Sequence, residues 1–180
     1  PAWDSPWGKG RPGWHIECSV MSQETLGLPF DIHGGGSDLR FPHHENEIAQ
    51  SCSLGKRNQK PENFARYWFH NGFVMANGEK MSKSLKNIIL VHNLIKKYSG
   101  STIRLALLSS HYRQPLNWTE KTLYQAKVNI SKFYKCFQNH PSFNGDKEEF
   151  DEITMELRKV ILDDFNTPKA FAILNKLLKD

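Results

Sequence analysis

The sequence has 180 residues, of which 38% are hydrophobic and 24% are charged, ordinary values for a folded domain. Its net charge of +5 favours an acidic partner such as a nucleotide or nucleic acid, although a lysine-rich solvated surface explains the same excess. Three widely spaced cysteines argue against a disulfide framework, and no apolar run reaches membrane-spanning length. We therefore expect a cytoplasmic protein that has no membrane partner.

The first part of the sequence predicts a loop, a helix, a strand and a second helix. Proline and glycine punctuate residues 1–13, which predicts a loop, and the apolar spacing that follows predicts a helix over residues 14–27. A short buried strand, LPFDIH, then runs into a turn of three glycines, and a helix is expected from about Pro42. This order of strand, glycine turn and helix is typical of a nucleotide-binding α/β fold.

The rest of the sequence predicts strands and then mostly helices. Residues 64–82 predict one or two strands around the NGF and NGE turns. From Val91 the spacing becomes helical, first in VHNLIKKY and then in STIRLALLSSHY. Heptad-like apolar spacing over 119–137 and 148–180 predicts a helical bundle whose two parts are joined by the linker NHPSFNGDK.

A candidate metal site involves a cysteine, a histidine and a glutamate. His43 and Glu47 are four residues apart and share one face of a helix, although His44 with Glu47 is a competing pair, and such pairs are also routine on helix surfaces. Cys18 would add a thiolate, but the spacing does not place it beside His43, and a small buried apolar side chain is the alternative interpretation. Three such ligands leave the open position that is typical of catalytic zinc sites.

The three consecutive glycines, Gly34, Gly35 and Gly36, are a candidate ligand-binding turn. Without side chains the backbone approaches a ligand closely, and a following helix N-terminus favours negative charge. The triplet does not match the spaced GxGxxG fingerprint, so a sharp turn without a ligand is an equally good interpretation.

A second candidate site is the stretch GEKMSKSLKN, residues 78–87, in which lysines alternate with serines in a loop that opens a predicted helix. The lysines are Lys80, Lys83 and Lys86. Flexible ammonium groups suit a polyphosphate whose charge redistributes during a reaction. A basic turn that serves only solubility is the alternative.

Four motifs together resemble one enzyme family. KMSKS matches a signature loop of class I aminoacyl-tRNA synthetases, and GWHIECS, DIHGGGSDLRFPHHENEIAQS and DDFNTP accompany it. From about Gly13 to the C-terminus the chain resembles the cysteinyl-tRNA synthetases. The resemblance implies an α/β fold, with part of a class I Rossmann-type nucleotide-binding domain followed by an α-helical bundle region. It implies three regions: the C-terminal half of the catalytic domain with zinc ligands (1–78), the KMSKS loop and a helical connective region (79–118), and a truncated tRNA-binding bundle (119–180).

The resemblance also implies a reaction and a metal. Enzymes of this family activate L-cysteine with ATP, bound with Mg²⁺, to cysteinyl-adenylate and transfer the cysteinyl group to tRNA(Cys). One Zn²⁺ selects the cysteine thiolate, and the implied ligands here are Cys18, His43 and Glu47. The fourth ligand, a further cysteine, and the HIGH signature belong to the N-terminal half of the catalytic domain and are not found in this sequence. We therefore expect residues 1–180 alone to be inactive.

The remaining site residues are implied by motif position. Trp14 would lie beside the side chain of the substrate cysteine. Lys80 and Lys83 would be catalytic and would stabilise the departing pyrophosphate. The residues implied in ATP or adenylate binding are His33, Gly34, Gly35, Gly36, Asp38, Met81, Ser82 and Lys83.

Two other functions remain open at this point. A relative of the family, the mycothiol cysteine ligase, joins cysteine to an amino sugar and needs no tRNA. An inactive fragment that binds RNA or a protein is the other alternative. The helical C-terminal region with DDFNTP favours the synthetase, because a tRNA requires additional docking surface, and we expect a monomer.

Overall fold

The computed structural model describes residues 1–53, 60–139 and 147–178. The chain forms two compact units, Pro1–Asn71 and Gly72–Asp180, which are described separately below. The predicted functional boundaries at residues 78 and 118 stay predictions. Most of the predicted linker NHPSFNGDK lies outside the described residues.

The first unit combines two helices with a two-stranded parallel sheet. Its elements are α1 (His15–Leu26), β1 (Phe30–Gly36), α2 (Glu45–Ser53) and β2 (Ala65–Asn71), with short helical turns at Ser37–Leu39, Arg40–His44 and Pro61–Asn63. Residues 1–13 carry no helix or strand apart from an isolated bridge between Trp3 and Gly10. The predicted loop and first helix are therefore confirmed.

A small apolar core holds this sheet against α2. It consists of Phe30, Ile48, Cys52, Phe64 and Ala65, all buried. The Phe30 ring meets the Phe64 ring edge to face, with centroids 5.0 Å apart. Cys52 is fully buried in this core, as expected for a cysteine that acts as a small apolar side chain.

One local prediction for this unit is wrong. The three glycines do not form a turn after the strand but lie within β1, where Gly34, Gly35 and Gly36 pair with β2 residues 69–71. The second predicted helix is confirmed: extended backbone at Phe41 (φ −135°, ψ 132°) ends the preceding turn, and the helical turn of residues 42–44 leads directly into α2 at Glu45. Glycine carries no strand signal of its own, so only the partner strand reveals that these residues continue the sheet.

The second unit carries a three-stranded sheet and a set of helices. Its elements are β3 (Val74–Ala76), β4 (Glu79–Lys80), α3 (Val91–Leu94), α4 (Gly100–Leu108), β5 (Leu116–Trp118), α5 (Glu120–Asn139), α6 (Lys147–Leu162) and α7 (Thr167–Leu177). The strand order is β4-β3-β5. The NGE turn joins β3 to antiparallel β4 with positive φ at Asn77 (52°) and Gly78 (88°), the backbone shape that an Asn-Gly hairpin favours.

The helical predictions for this unit are confirmed in outline, and one strand was not predicted. VHNLIKKY gives only the one-turn helix α3, whereas α4 to α7 follow the predicted periodic segments. Strand β5 lies in RQPLNW, where the alternation of Leu116, Asn117 and Trp118 is too short to predict a strand, and it becomes one by pairing in parallel with β3. Among the described residues, no helix is both long enough and apolar enough to cross a membrane.

The core of the second unit lies where α4 and α5 pack against each other. Its buried members are Ile103, Leu105, Ala106, Trp118, Leu123 and Ala126. Ser99 caps α4 by accepting a hydrogen bond from the Thr102 backbone N–H (3.2 Å). The apolar core of this unit therefore joins α4 and β5 to the first helix of the predicted bundle, α5.

The DDFNTP motif forms the sharp turn between α6 and α7. Asp164 and Phe165 both have positive φ, 54° and 55°. The Asp164 carboxylate accepts hydrogen bonds from Arg113 Nε (2.5 Å) and Nη2 (3.0 Å) and from Tyr112 Oη (2.6 Å). Asn166 then caps α7 by accepting from the Lys169 N–H. The motif therefore fastens the α6–α7 turn to the segment that precedes β5.

We expect Asp164→Asn to lower the thermal unfolding midpoint of the protein at pH 7. Asparagine tolerates the same left-handed backbone, so the change keeps the turn and removes the charge together with one of the two acceptor oxygens. The hydrogen bonds from Arg113 and then from Tyr112 lower the pKa of Asp164 from 3.8 to about 2. Since the folded-state pKa is depressed, the stabilisation is present above pH 3.8 and is lost as the pH falls towards 2. Thermal melts of both proteins between pH 7 and 2.5 should therefore converge at acid pH, and a constant difference would contradict this role.

Candidate functional site

Cys18, His43 and Glu47 converge in the first unit. Helix α1 packs against α2, which brings Cys18 to the side chains of His43 and Glu47, so that one ligand atom of each residue lies within 4.8 Å of the others. His43 Nε2 lies 2.5 Å from Glu47 Oε1. Both His43 and Glu47 are buried, and Cys18 is half-buried. The three predicted metal ligands therefore face one another.

The environment of Glu47 fits a bound cation. This side chain is completely buried, yet neither of its oxygens has a hydrogen-bond partner in the described part of the chain. The polar neighbours of the two oxygens are His43 Nε2 at 2.5 Å and His33 Nε2 at 2.8 Å. A buried carboxylate without hydrogen bonds is costly unless a positive charge compensates it. Thiolate, imidazole and carboxylate donors are the ligands that Zn²⁺ takes in proteins.

The protonation of the ligands follows from their burial. Burial lowers the pKa of His43 despite the opposing effect of Glu47, which favours the neutral imidazole that a metal requires. Burial also raises the pKa of the Cys18 thiol, and the negative charges of Glu47 and Glu17 raise it further. A bound cation would compensate these negative charges and favour the thiolate.

Two residues at the start of α1 contact the candidate ligand His43. Trp14 stacks on the His43 ring, with centroids 3.6 Å apart and planes 10° from parallel, and the indole is half exposed. The His15 Nδ1 lies 2.7 Å from the His43 Nδ1. His15 was not singled out from the sequence. The sequence signal that could have indicated His15 is its position three residues before Cys18, because this spacing places both residues on one helix face.

A second group of histidines surrounds the other side of Glu47. His33, His44 and Glu47 also bring ligand atoms within 4.8 Å of one another. His44 Nδ1 lies 2.8 Å from the Nε2 of His70, a residue that the sequence did not indicate. Burial, followed by the effect of His33, lowers the pKa of His44 to about 4. His33, predicted to contact the adenylate, therefore shares a buried cluster with a predicted metal ligand.

The glycine triplet lines this cluster through its backbone. A Cβ atom on Gly35 would lie 2.9 Å from the Leu39 side chain and 3.1 Å from the His44 ring. A Cβ on Gly36 would touch the carboxylate of Asp38, which lies in the helical turn directly after β1. Glycine at position 35 is therefore explained by the close approach of His44.

The KMSKS residues lie in the second unit. Lys80 is in β4, with its Nζ 4.1 Å above the Phe73 ring, and Met81 and Ser82 are half-buried. Residues 81–90 are not helical, so the helix predicted after this loop begins only at Val91, as the one-turn α3. Lys83 is exposed.

Asn87 holds the loop in shape by bonding across it. Its Oδ1 accepts from the Ser82 N–H (2.8 Å), and its Nδ2 donates to the Lys80 carbonyl (3.3 Å). The Ser82 hydroxyl in turn accepts from the Leu85 N–H (3.2 Å). Such side-chain bonds to the backbone replace helical ones and keep this segment a loop.

Comparison with known proteins identifies the family. A family model described as tRNA synthetases class I (C) catalytic domain matches residues 1–128. The chain belongs to the class I (C) tRNA synthetase family. Curated relatives are named Cysteine--tRNA ligase, including those of Rhodospirillum rubrum (52% identical over 179 residues) and Streptococcus agalactiae (48% over 179 residues). Each alignment covers 99% of this chain but only 37% and 39% of the respective relative, so the chain spans less than half of their length.

A solved structure supports the fold of this family member. The LeuRS of Agrobacterium radiobacter K84, crystallised in a ternary complex with tRNA and LeuAMS, superposes with a TM-score of 0.70 at 16% identity. The match covers 99% of this chain and 29% of that one. Together with the family match, it bears out the predicted class I synthetase architecture of a partial nucleotide-binding domain followed by helices.

Proposed function

We propose that this chain is part of a cysteine–tRNA ligase that activates L-cysteine with ATP and Mg²⁺ and transfers it to tRNA(Cys). The names of the relatives support this activity. The observation that carries the proposal is the convergence of Cys18, His43 and Glu47, because this donor set suits a metal that recognises a thiol.

In this proposal Cys18, His43 and Glu47 hold one Zn²⁺ together with a further ligand. When bound, the zinc supplies a Lewis acid that prefers a thiolate to a hydroxyl. Packing alone gives only about 1–3 kcal/mol for a methylene-sized difference, which is too little to separate cysteine from serine reliably. The buried Glu47 supplies negative charge that keeps the cation in place.

The surrounding residues are proposed to bind the rest of the aminoacyl-adenylate. Trp14 presents a half-exposed indole beside His43, a surface that suits the substrate side chain. The backbone of Gly34, Gly35 and Gly36 offers close approach to the nucleotide, with His33 and Asp38 at either end of the triplet. In this role His33 would also contact Glu47, whose Oε2 lies 2.8 Å away.

The KMSKS loop is proposed to act on the triphosphate. Lys83 is exposed and has no ion pair within the described residues, so its ammonium is available to the departing pyrophosphate. Lys80 would assist it, while Met81 and Ser82 line the nucleotide. Residues 1–78 would then carry the amino-acid site, 79–118 the loop and connective region, and 119–180 part of a tRNA-binding bundle of a cytoplasmic monomer.

Cysteinylation by the full-length protein tests the proposal. Purified protein, ATP, Mg²⁺, labelled cysteine and a tRNA(Cys) transcript should give cysteinyl-tRNA, and labelled serine should give none. A tRNA(Leu) transcript serves as the matched control. Transfer of cysteine only to an amino sugar would replace the proposal with the mycothiol-type ligase, and failure to form any adenylate would overturn both.

A further inference from the structure

We propose that His15 is a positioning residue that fixes the ring nitrogen through which His43 binds the metal. This inference rests on the proposed zinc site and adds a residue to it. His15 and the candidate ligand Cys18 are three residues apart on α1, so one rigid helix brings both to the same site. No ligand role is assigned to His15 itself.

The contacts of His43 define which nitrogen faces the metal. Its Nε2 points to Glu47 Oε1 (2.5 Å), and its Nδ1 lies 2.7 Å from the His15 Nδ1. A metal-binding Nε2 must present a lone pair, so the ring proton must sit on Nδ1. That Nδ1–H then donates to the His15 Nδ1, which acts as the acceptor. His15 consequently carries its own proton on Nε2.

The rest of the structure keeps the His15 ring in place. A Cβ atom on Gly13 would lie 3.0 Å from the His15 Cδ2, so glycine at that position leaves room for the ring. The Ser19 hydroxyl, 2.7 Å from Gln50 Oε1, links α1 to α2 near the site. Trp14 fixes the plane of the His43 ring by stacking on it. An imidazole held in this way has one orientation and one tautomer, as ligands ordered by an outer partner do.

Two substitutions at position 15 separate the hydrogen bond from the bulk of the side chain. We expect His15→Leu, which removes the acceptor, to weaken zinc affinity about 10- to 100-fold, the usual effect of losing such a partner. We expect His15→Asn to stay within about threefold of the wild type, because its Oδ1 occupies nearly the position of the imidazole Nδ1 and accepts the same hydrogen bond. His92→Leu, at an exposed histidine of α3, is the matched control and should leave zinc affinity unchanged.

Competition with a chromogenic chelator measures the zinc affinity of the full-length protein and its variants. Imidazole ¹H–¹⁵N NMR spectra of the zinc-loaded wild type report the tautomers and should show His43 protonated on Nδ1 and His15 on Nε2. A wild type that binds no zinc would refute the proposed function. If the wild type binds zinc but His15→Leu binds it equally tightly, only the role of His15 is overturned. The same conclusion follows if the wild-type His15 is protonated on Nδ1. The NMR result decides the question even if His15→Leu fails to fold.

Discussion

Cys18→Ser in the full-length protein is expected to weaken zinc binding by more than about 100-fold, beyond the effect of losing an outer partner. The hydroxyl of serine is a poor zinc ligand. After the substitution, only His43, Glu47 and the proposed further ligand remain to bind the ion. Because Cys18 lies on a surface turn of α1 and is only half-buried, the fold should survive the loss of the sulfur. Metal analysis after dialysis, followed by chelator competition, measures the change.

Cys136→Ser provides the matched control for this experiment. Cys136 is also half-buried and helical, but it lies on α5 in the second unit and belongs to neither candidate metal group. It should retain one zinc per chain with wild-type affinity. Unchanged zinc binding by Cys18→Ser would exclude this thiol as a ligand.

Lys83→Ala is expected to slow cysteine-dependent ATP–pyrophosphate exchange by at least about tenfold, which corresponds to about 1.4 kcal/mol of transition-state stabilisation. The reason is electrostatic: its ammonium is proposed to stabilise charge on the departing pyrophosphate. The loop backbone is held by Ser82 and Asn87, so truncating this exposed side chain should leave the loop shape and the thermal midpoint unchanged.

The comparison for this measurement is Lys96→Ala, which removes another exposed lysine of the second unit outside the loop. Its exchange rate should match the wild type, so a general loss of positive charge would not account for the effect of Lys83→Ala. Exchange by Lys83→Ala at the wild-type rate would remove this lysine from the proposed mechanism. An equal loss of the exchange rate in both variants would instead attribute the effect to the net positive charge of the protein.

The sequence predicted those elements whose signal is local. The periodic apolar spacing of α5 and the Asn77-Gly78 turn each act over a few residues, so their patterns were sufficient. The glycine triplet was misplaced because its strand conformation depends on β2, which lies more than thirty residues further along the chain. Strand β5 was missed for the same reason, since its partner β3 decides its conformation.

The sequence by itself determined which chemical groups are present and the motifs that carry the family resemblance. The sequence alone shows a histidine and a glutamate four residues apart, a cysteine upstream of them, and the KMSKS loop. Only the tertiary structure placed Cys18 beside His43 and gave His43 its contact with His15. Those contacts join residues about 25 positions apart through the packing of α1 on α2, and no local propensity encodes such packing.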